Sequence, residues 1–366
     1  MNTLIPILSD LIRFRSDEAE KQNTELITYI GALLTQNQVA FQRLKISSGQ
    51  ENILAFLTPS AKMGQDGGLV LSGHLDTVGV SQDWGTPPFQ LTQIGDKLYG
   101  RGTVDMKAFS AIVLSLLPFF KKISFPVYLM LSCDEETTAQ GIQALLDSLK
   151  TQNIKPTYAL VGEPTHGAVG ISSKGYYGYQ TVMTGLAAHS SSPNLGINAT
   201  YLAAKFISYI EELNTQYAPL GTTLNVGIVQ GGQERNSIPD RCQIGWEMRS
   251  SFEKTQKEME TCVKKKQESL LQTYPKSKFE TQIVEKLPVF EKRGSAFLQK
   301  VQSFSQETLE LPYATEAGFL QQSGMDVVIC GPGDEKLAHT ANEYVLKQDL
   351  EQYREFLKQF IQSMGR

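Results

Sequence analysis

The chain of 366 residues has few cysteines, no long apolar run and no excess of positive charge. Its four cysteines show no Cys-x-x-Cys spacing, which argues against a thiolate metal site and favours free, mostly buried thiols in a cytoplasmic protein. No apolar run approaches the ~20 residues of a membrane span. The net charge of -4 and the lack of a basic stripe argue against nucleic-acid or membrane partners.

The beginning of the chain is expected to form a helix of the mature protein rather than a signal peptide. Leu4, Leu8 and Leu11 recur near helical spacing with Asp10 and Arg13 between them, and no small-residue cleavage site follows. Hydrophobic residues make up 41% of the chain, which is ample core material. At about 100–200 residues per domain, the length indicates two domains or three.

Four short apolar runs predict strands that are buried on both faces. Continuous rather than alternating apolar character is typical of a parallel or mixed sheet with helices on both faces. We therefore predict an α/β catalytic domain with a mixed, mostly parallel sheet. The runs are 68–72, 127–131, 158–161 and 327–330, with helical patterns at 106–120 and 142–149.

The middle of the chain predicts a separate α+β domain. Strand and helix patterns there follow the order β-α-β-β-α-β, which matches a ferredoxin-like unit. We place its joins near Lys174 and Glu285. The expected domains are a first catalytic part at 1–173, an inserted domain at 174–285 and a second catalytic part at 286–366. The six patterns are 177–184, 195–213, 223–229, 243–249, 254–271 and 278–284.

Each predicted buried strand is followed closely by a potential metal ligand. His74 follows the first strand, the acidic run 134–136 the second, Glu163 the third, and His339 comes after a Gly-Pro-Gly turn beyond the fourth. Open α/β sheets bind ligands beyond the carboxyl ends of their strands. Three consecutive carboxylates repel one another, so either a cation binds them or they form a solvated turn that caps the next helix.

Together these motifs resemble the M20 aminoacylase and carboxypeptidase family of co-catalytic zinc hydrolases, and within it the acetylornithine deacetylase subgroup. The resemblance covers nearly the whole chain. The family motifs are SGHLDT at 72–77, YGRGTVDMK at 99–107, DEETT at 134–138 and GEPT at 162–165. The subgroup is indicated by TEAGF at 315–319, CGPG at 330–333 and AHTANE at 338–343.

The resemblance implies a site for two divalent metal ions. Asp105 would bridge them, His74 and Glu163 would complete one ion, and Glu136 and His339 the other. Nitrogen and carboxylate ligands without thiolate suit Zn²⁺, and Co²⁺ or Mn²⁺ could replace it. The resemblance also implies a cis peptide bond after Asp105.

Glu135 is implied as the general base and acid, because it lies beside the ligands without being one. It would take a proton from the attacking water and return it to the leaving amine. Asp76 would orient the imidazole of His74. His166 matches no function of the family and is expected to be a surface histidine.

The inserted domain is expected to act as a lid and to form a homodimer. The segment 187–193 resembles the family's lid motif, in which His189 reaches the partner subunit's active site and stabilises an oxyanion. Alternatively, serines 190–192 cap the next helix. Asn236 and Arg249 resemble substrate-binding residues, although relatives have Asp-x-Arg where this chain has Glu247-Met248-Arg249.

The implied reaction is hydrolysis of N2-acetyl-L-ornithine to acetate and L-ornithine, a step of arginine biosynthesis. Either Glu316 or Glu247 could bind the substrate's cationic side chain. The alternatives are a succinyl-diaminopimelate desuccinylase, a dipeptidase or carboxypeptidase of the same family, or a non-catalytic metal-binding relative.

Overall fold

The computed structural model describes residues 3–17, 22–305 and 307–365, which form two compact units. The first unit contains the chain up to Ile171, Lys292–Leu311 and the chain from Thr315 onward. The second contains Ser172–Glu291 and Pro312–Ala314. Within the described ranges no helix is both long enough and apolar enough to span a membrane.

The strands and helices are numbered in chain order. The strands are β1 (Ala40–Lys45), β2 (Glu51–Phe56), β3 (Leu69–His74), β4 (Thr92–Ile94), β5 (Lys97–Tyr99), β6 (Val127–Ser132), β7 (Tyr158–Val161), β8 (Val169–Ser173), β9 (Gly175–Thr184), β10 (Ala188–His189), β11 (Thr223–Gly231), β12 (Ser237–Ile238), β13 (Arg241–Ser250), β14 (Lys278–Leu287), β15 (Thr308–Leu311), β16 (Asp326–Ile329) and β17 (Tyr344–Leu346). The helices are α1 (Leu4–Arg13), α2 (Thr24–Gln36), α3 (Lys107–Ser115), α4 (Leu117–Phe120), α5 (Gln140–Thr151), α6 (Ala199–Tyr217), α7 (Glu253–Thr273), α8 (Ala296–Gln302), α9 (Ala317–Gln322) and α10 (Lys347–Met364).

The first unit is built on an eight-stranded sheet with the order β1-β2-β6-β3-β7-β16-β8-β15. Its central strands β6, β3, β7 and β16 are parallel, while β1, β2 and β8 pair antiparallel with their neighbours. Every residue of β3 and β6 is buried, so both faces of the sheet are covered there. The predicted mixed, mostly parallel α/β sheet is confirmed.

The N-terminal helix α1 is held to the first unit by its apolar face and by a buried lysine. Leu4, Leu8 and Leu11 are fully buried. Each such side chain contributes about 1.5–3 kcal/mol of transfer free energy. The ammonium group of Lys107, at the start of α3, donates hydrogen bonds to the carbonyl oxygens of Leu11 (3.1 Å) and Phe14 (2.9 Å). It thereby satisfies carbonyl groups at the end of α1.

The second unit has a four-stranded antiparallel sheet with the order β11-β13-β9-β14. The chain order β9-α6-β11-β13-α7-β14 is the predicted ferredoxin-like order. Alternate residues of β13 are buried, as expected for a sheet with one face against helices, and Trp246 stacks on Tyr179 with ring centroids 4.1 Å apart. The helix predicted from Leu195 begins later, at Ala199, because the Asn198 side chain caps it there.

All four cysteines are free, as the sequence predicts. Cys133, Cys242 and Cys330 are buried, and Cys262 is partly exposed. Burial raises the pKa of the Cys330 thiol to about 12. Burial also raises the pKa of the Cys133 and Cys242 thiols, so the reactive thiolate form is disfavoured in all three.

Candidate metal centre and active site

The parallel strands bring five acidic or histidine side chains to one edge of the central sheet. β3 ends at His74, and the segments after β6 and β7 carry Glu136 and Glu163. The segment after β16 leads to His339, and Asp105 lies just before α3. Because carboxyl ends of parallel strands meet at the same edge, residues far apart in the chain become neighbours.

The carboxylate of Asp105 lies between two histidines. Its Oδ1 is 2.9 Å from Nε2 of His74, and its Oδ2 is 3.1 Å from Nε2 of His339. Glu163 Oε1 lies 3.8 Å from the same nitrogen of His74, and Glu136 Oε1 lies 3.1 Å from that of His339. Asp105 thus lies between the His74–Glu163 pair and the His339–Glu136 pair. The peptide bond after it is cis, as expected.

The electrostatics of this cluster are those of acids packed around two imidazoles. Burial, followed by the charge of Asp105, raises the pKa of Glu163 well above its usual value. Burial opposes ionisation of Asp105 too, but hydrogen bonds with His339 and His74 hold its pKa below the usual range. Hydrogen bonds with Asp105 and Glu136 raise the pKa of His339 to about 10. Positive charge bound at this cluster would therefore stabilise the ionised form of its carboxylates.

Asp76 connects His74 to the acidic turn through two different groups. Its main-chain carbonyl oxygen lies 2.9 Å from Nδ1 of His74, whereas its nearest carboxylate oxygen is 3.5 Å away. The carboxylate instead accepts hydrogen bonds from the backbone N–H groups of Glu135 (3.2 Å) and Glu136 (2.9 Å). The carbonyl group is thus the closer orienting contact for the imidazole, and the carboxylate places the turn that carries Glu135.

The three acids of the run 134–136 have different environments. Asp134 has a structural role, because its carboxylate accepts hydrogen bonds from the backbone N–H groups of Gln140 (3.0 Å) and Gly141 (2.6 Å) at the start of α5. Asp134 therefore caps α5, but it is buried, so the alternative of a solvated turn is wrong for this residue. Burial raises the pKa of Glu135 well above its usual value; His74 opposes this rise and Glu163 adds to it. A raised pKa suits a group that accepts and returns a proton.

In the second unit, His189 and Asn236 lie together on a short two-stranded ladder. His189 in β10 pairs with Ser237 in β12, and the N–H of Ser190 donates to the carbonyl oxygen of Asn236 (3.0 Å). The N–H of Ser191 donates to Nδ1 of His189 (3.2 Å). A neutral ring with Nδ1 as acceptor carries its proton on Nε2. The exposed His189 thus presents an N–H donor.

The alternative role of serines 190–192 as helix caps is wrong. The side chain of Asn198 accepts hydrogen bonds from the backbone N–H groups of Thr200 and Tyr201 and is therefore the N-cap of α6. Ser192 precedes a short 3₁₀ turn, Pro193–Leu195, and its side chain makes no capping hydrogen bond.

Arg249 belongs to the opposite end of this sheet. Strand β13 begins at Arg241, which pairs with Thr184, the last residue of β9. This end of the sheet is the one from which the chain continues into β10. Arg249 lies eight residues farther along β13, a distance of about 26 Å in an extended strand. There its Nε donates to Glu247 Oε1 (3.2 Å), and its guanidinium stands 4.8 Å from the ring centroid of Tyr176.

Comparison with known proteins identifies the family. The model of peptidase family M20/M25/M40 matches residues 70–363. The chain belongs to this family.

Among curated relatives of this M20 chain are two proteins named acetylornithine deacetylase. That of Buchnera aphidicola subsp. Acyrthosiphon pisum (strain Tuc7) is 31% identical over 294 residues, which cover 76% of each chain. That of Photorhabdus laumondii is 29% identical over 360 residues, which cover 93% of this chain and 91% of the relative. A crystal structure of a tripeptidase from Staphylococcus aureus shares the fold, with a TM-score of 0.78 and 19% identity over 99% of this chain and 98% of that one.

Membership of M20 implies a dinuclear metal site, and the residues of this chain fit one. Ligand atoms of His74, Asp105 and Glu136 lie within 4.8 Å of one another. The two imidazoles and three carboxylates that meet here are side-chain types that can bind divalent metal ions. Two divalent ions would also supply the positive charge that the buried acids demand.

The two acids considered for the substrate's cation differ in accessibility. Glu316 is buried inside the first unit, where Ser72 Oγ donates to its Oε2 (3.2 Å), and burial raises its pKa to about 7. Glu247 is partly exposed beside Arg249. Of the two, only Glu247 is open to a ligand.

Glu343 was not singled out from the sequence, although it ends the segment 338–343. Its side chain is fully buried against the loop that carries Asp105. The only sequence signal was an acidic residue four positions after His339. That spacing does not show what the acid contacts.

His166 is exposed, as expected.

Proposed function

We propose that this chain is a dinuclear metal-dependent deacylase that hydrolyses N2-acetyl-L-ornithine to acetate and L-ornithine. The position of Asp105 between two His-Glu pairs, with Glu135 on the adjoining turn, carries the proposal. The substrate is supported by the curated relatives named acetylornithine deacetylase. We further propose Zn²⁺ as the metal, because the donor set holds nitrogen and oxygen but no thiolate.

In this proposal, Asp105 would bridge the two ions, His74 and Glu163 would hold one of them, and Glu136 and His339 would hold the other. When bound, the two ions would supply Lewis-acid activation of a water molecule and of the acyl carbonyl group.

The remaining groups move protons and stabilise charge. Glu135 accepts the proton of the attacking water and returns it to the leaving amine. Asp76 keeps Glu135 in place through its hydrogen bond to the backbone N–H of that residue. The Nε2–H of His189 donates to the oxyanion that develops on the acyl oxygen.

Substrate recognition is assigned to the second unit. Asn236 and Arg249 bind the α-carboxylate, and a guanidinium can hold a carboxylate with two hydrogen bonds. Glu247 binds the cationic side chain, because its carboxylate is partly exposed whereas that of Glu316 is buried. Asn236 lies beside His189, and about 26 Å of strand separates Arg249 from that end of the sheet. The proposal therefore takes Arg249 from one subunit and the Asn236 and His189 pair from its partner.

The direct test is a substrate panel with Zn²⁺ or Co²⁺ added. We expect kcat/KM to be highest for N2-acetyl-L-ornithine among acetyl, succinyl and dipeptide substrates. N-acetyl-L-norvaline is the matched control, since it lacks only the side-chain ammonium group. Preference for succinyl-diaminopimelate or for dipeptides would contradict the assigned substrate, and equal rates for ornithine and norvaline derivatives would contradict recognition of the cation.

A homodimer formed through the second unit is part of the proposal. Strand β11 is an edge strand of the four-stranded sheet, and its Ile228 and Val229 are 53% and 55% exposed. Exposed apolar side chains on an unpaired edge favour pairing with another chain.

His189→Ala is expected to lower kcat by about 10²–10³-fold with a smaller change in KM, because the contact forms mainly in the transition state. Ser190→Ala is the matched control, since it removes the hydroxyl group of the next exposed residue and keeps the ring with its contacts to Ser191. A defect in KM alone would contradict the oxyanion role.

Mixing two inactive variants tests whether His189 serves the partner subunit. Glu135→Gln and His189→Ala chains, unfolded and refolded together, should regain about a quarter of wild-type turnover, since half of the dimers are mixed and each has one complete site. No recovery from mixed dimers would show that both residues act within one chain.

A further inference from the structure

Glu343 gathers four hydrogen-bond donors from the loop that precedes α3. Its Oε1 accepts from the backbone N–H groups of Val104 (2.6 Å) and Asp105 (3.1 Å). Its Oε2 accepts from the backbone N–H of Gly102 (3.0 Å) and from Nη1 of Arg101 (2.7 Å). The side chain is fully buried, so no solvent competes for these donors.

The main chain around Glu343 is joined to the same loop. Strand β17 pairs antiparallel with β5, with Tyr344 opposite Tyr99. The carbonyl oxygen of Glu343 accepts from the N–H of Gly100 (3.1 Å). Backbone and side chain of one residue therefore fasten residues 100–105 to the segment that follows His339.

The carboxylate of Glu343 forms a buried ion pair with Arg101. Arg101 is buried, its Nη2 donates to the carbonyl oxygen of Gly79 (3.1 Å), and its guanidinium lies 5.2 Å from the ring centroid of Trp84. These contacts leave Arg101 little freedom to turn away. Hydrogen bonds to a charged acceptor are shorter and stronger than those between neutral groups. The four hydrogen bonds to Glu343 therefore hold the loop before α3 firmly in place.

We propose that Glu343 is a positioning residue that sets the distance between two ligands of the metal centre, Asp105 and His339. It lies four residues after His339 and binds the backbone N–H of Asp105 itself. Those two side chains meet with Oδ2 of Asp105 3.1 Å from Nε2 of His339. Since Asp105 is the residue shared between the two His-Glu pairs, displacement of its loop disturbs both. This inference rests on the proposed metal centre.

Glu343→Gln tests the role with a side chain of the same size. The amide has one carbonyl oxygen, and its NH₂ group would face backbone N–H donors, so two or more of the four hydrogen bonds are lost. We expect Zn²⁺ affinity, measured on metal-free protein in competition with a chromophoric chelator, to fall by about 10–100-fold. The increase in Tm produced by Zn²⁺ should shrink, and the absorption spectrum of bound Co²⁺ should change.

Glu260→Gln is the matched control in the second unit. The carboxylate of Glu260 accepts a hydrogen bond from the hydroxyl group of Tyr179 (2.7 Å), so its loss also removes a charge-assisted hydrogen bond. That variant should keep the Zn²⁺ affinity and the Co²⁺ spectrum of the wild type.

Arg101→Gln keeps the proposal testable if Glu343→Gln does not fold. It removes one of the four donors and leaves the three backbone N–H groups, so we expect a smaller loss of Zn²⁺ affinity in the same direction. Unchanged affinity and an unchanged Co²⁺ spectrum in the folded variants would overturn the positioning role, even if Tm fell. Failure of the wild-type protein to bind Zn²⁺ or Co²⁺ would instead overturn the metal centre itself.

Discussion

Replacing Glu135 with glutamine is expected to lower turnover by about 10²–10⁴-fold, because the amide cannot carry a proton from water to the leaving amine. The metal content should stay at the wild-type level, since the proposed ligands are other residues. The measurement is kcat for N2-acetyl-L-ornithine together with elemental analysis of the same sample.

The structure supports this separation of roles within the acidic run. Asp134 caps α5, whereas the backbone N–H groups of Glu135 and Glu136 are both held by Asp76. The substitution removes the charge of Glu135 and leaves the hydrogen bond from its backbone in place. Glu25→Gln, at an exposed position in the first turn of α2, is the control for loss of one carboxylate. Near-normal turnover in Glu135→Gln would remove this residue as the base.

Replacing Asp105 with alanine should abolish metal binding at both positions together, and with it all measurable turnover. The physical reason is that each carboxylate oxygen faces a different histidine, so one side chain serves both halves of the centre. Elemental analysis after dialysis, compared with the wild type, measures the loss.

Glu163→Gln is the matched control for Asp105→Ala. Glu163 lies beside His74, 3.8 Å from its Nε2, and the contacts of His339 are with Asp105 and Glu136. Its replacement should weaken one metal position more than the other. Retention of one tightly bound ion in Asp105→Ala would contradict the bridging role.

Much of the fold could be predicted because its signals are local. The continuous apolar runs at β3, β6, β7 and β16 predicted strands that are buried on both faces, and all four are strands of the central sheet. The alternating pattern and long amphipathic helices of the second unit likewise predicted its ferredoxin-like order. The start of α6 was misplaced by four residues because the capping side chain, Asn198, is one of several polar candidates in that segment.

The sequence was enough to predict which residues of the candidate site lie close together. Ligand-type residues followed strand after strand, and parallel strands place their carboxyl ends at one edge. The structure brings His74, Asp105, Glu136, Glu163 and His339 together, while their metal-binding roles stay predictions. The contact of His74 with the carbonyl oxygen of Asp76, rather than with its carboxylate, could not be read from the sequence.

The sequence by itself determined the elements, their order and the chemical types available at the strand ends, because periodicity and residue identity are properties of short segments. Tertiary structure alone decided which groups each buried acidic residue contacts. Glu316 and Glu343 are both carboxylates buried in the first unit, yet one accepts a serine hydroxyl group and the other clamps the Asp105 loop. Such differences depend on donors supplied by segments more than two hundred residues away, and only packing brings those segments within hydrogen-bonding distance.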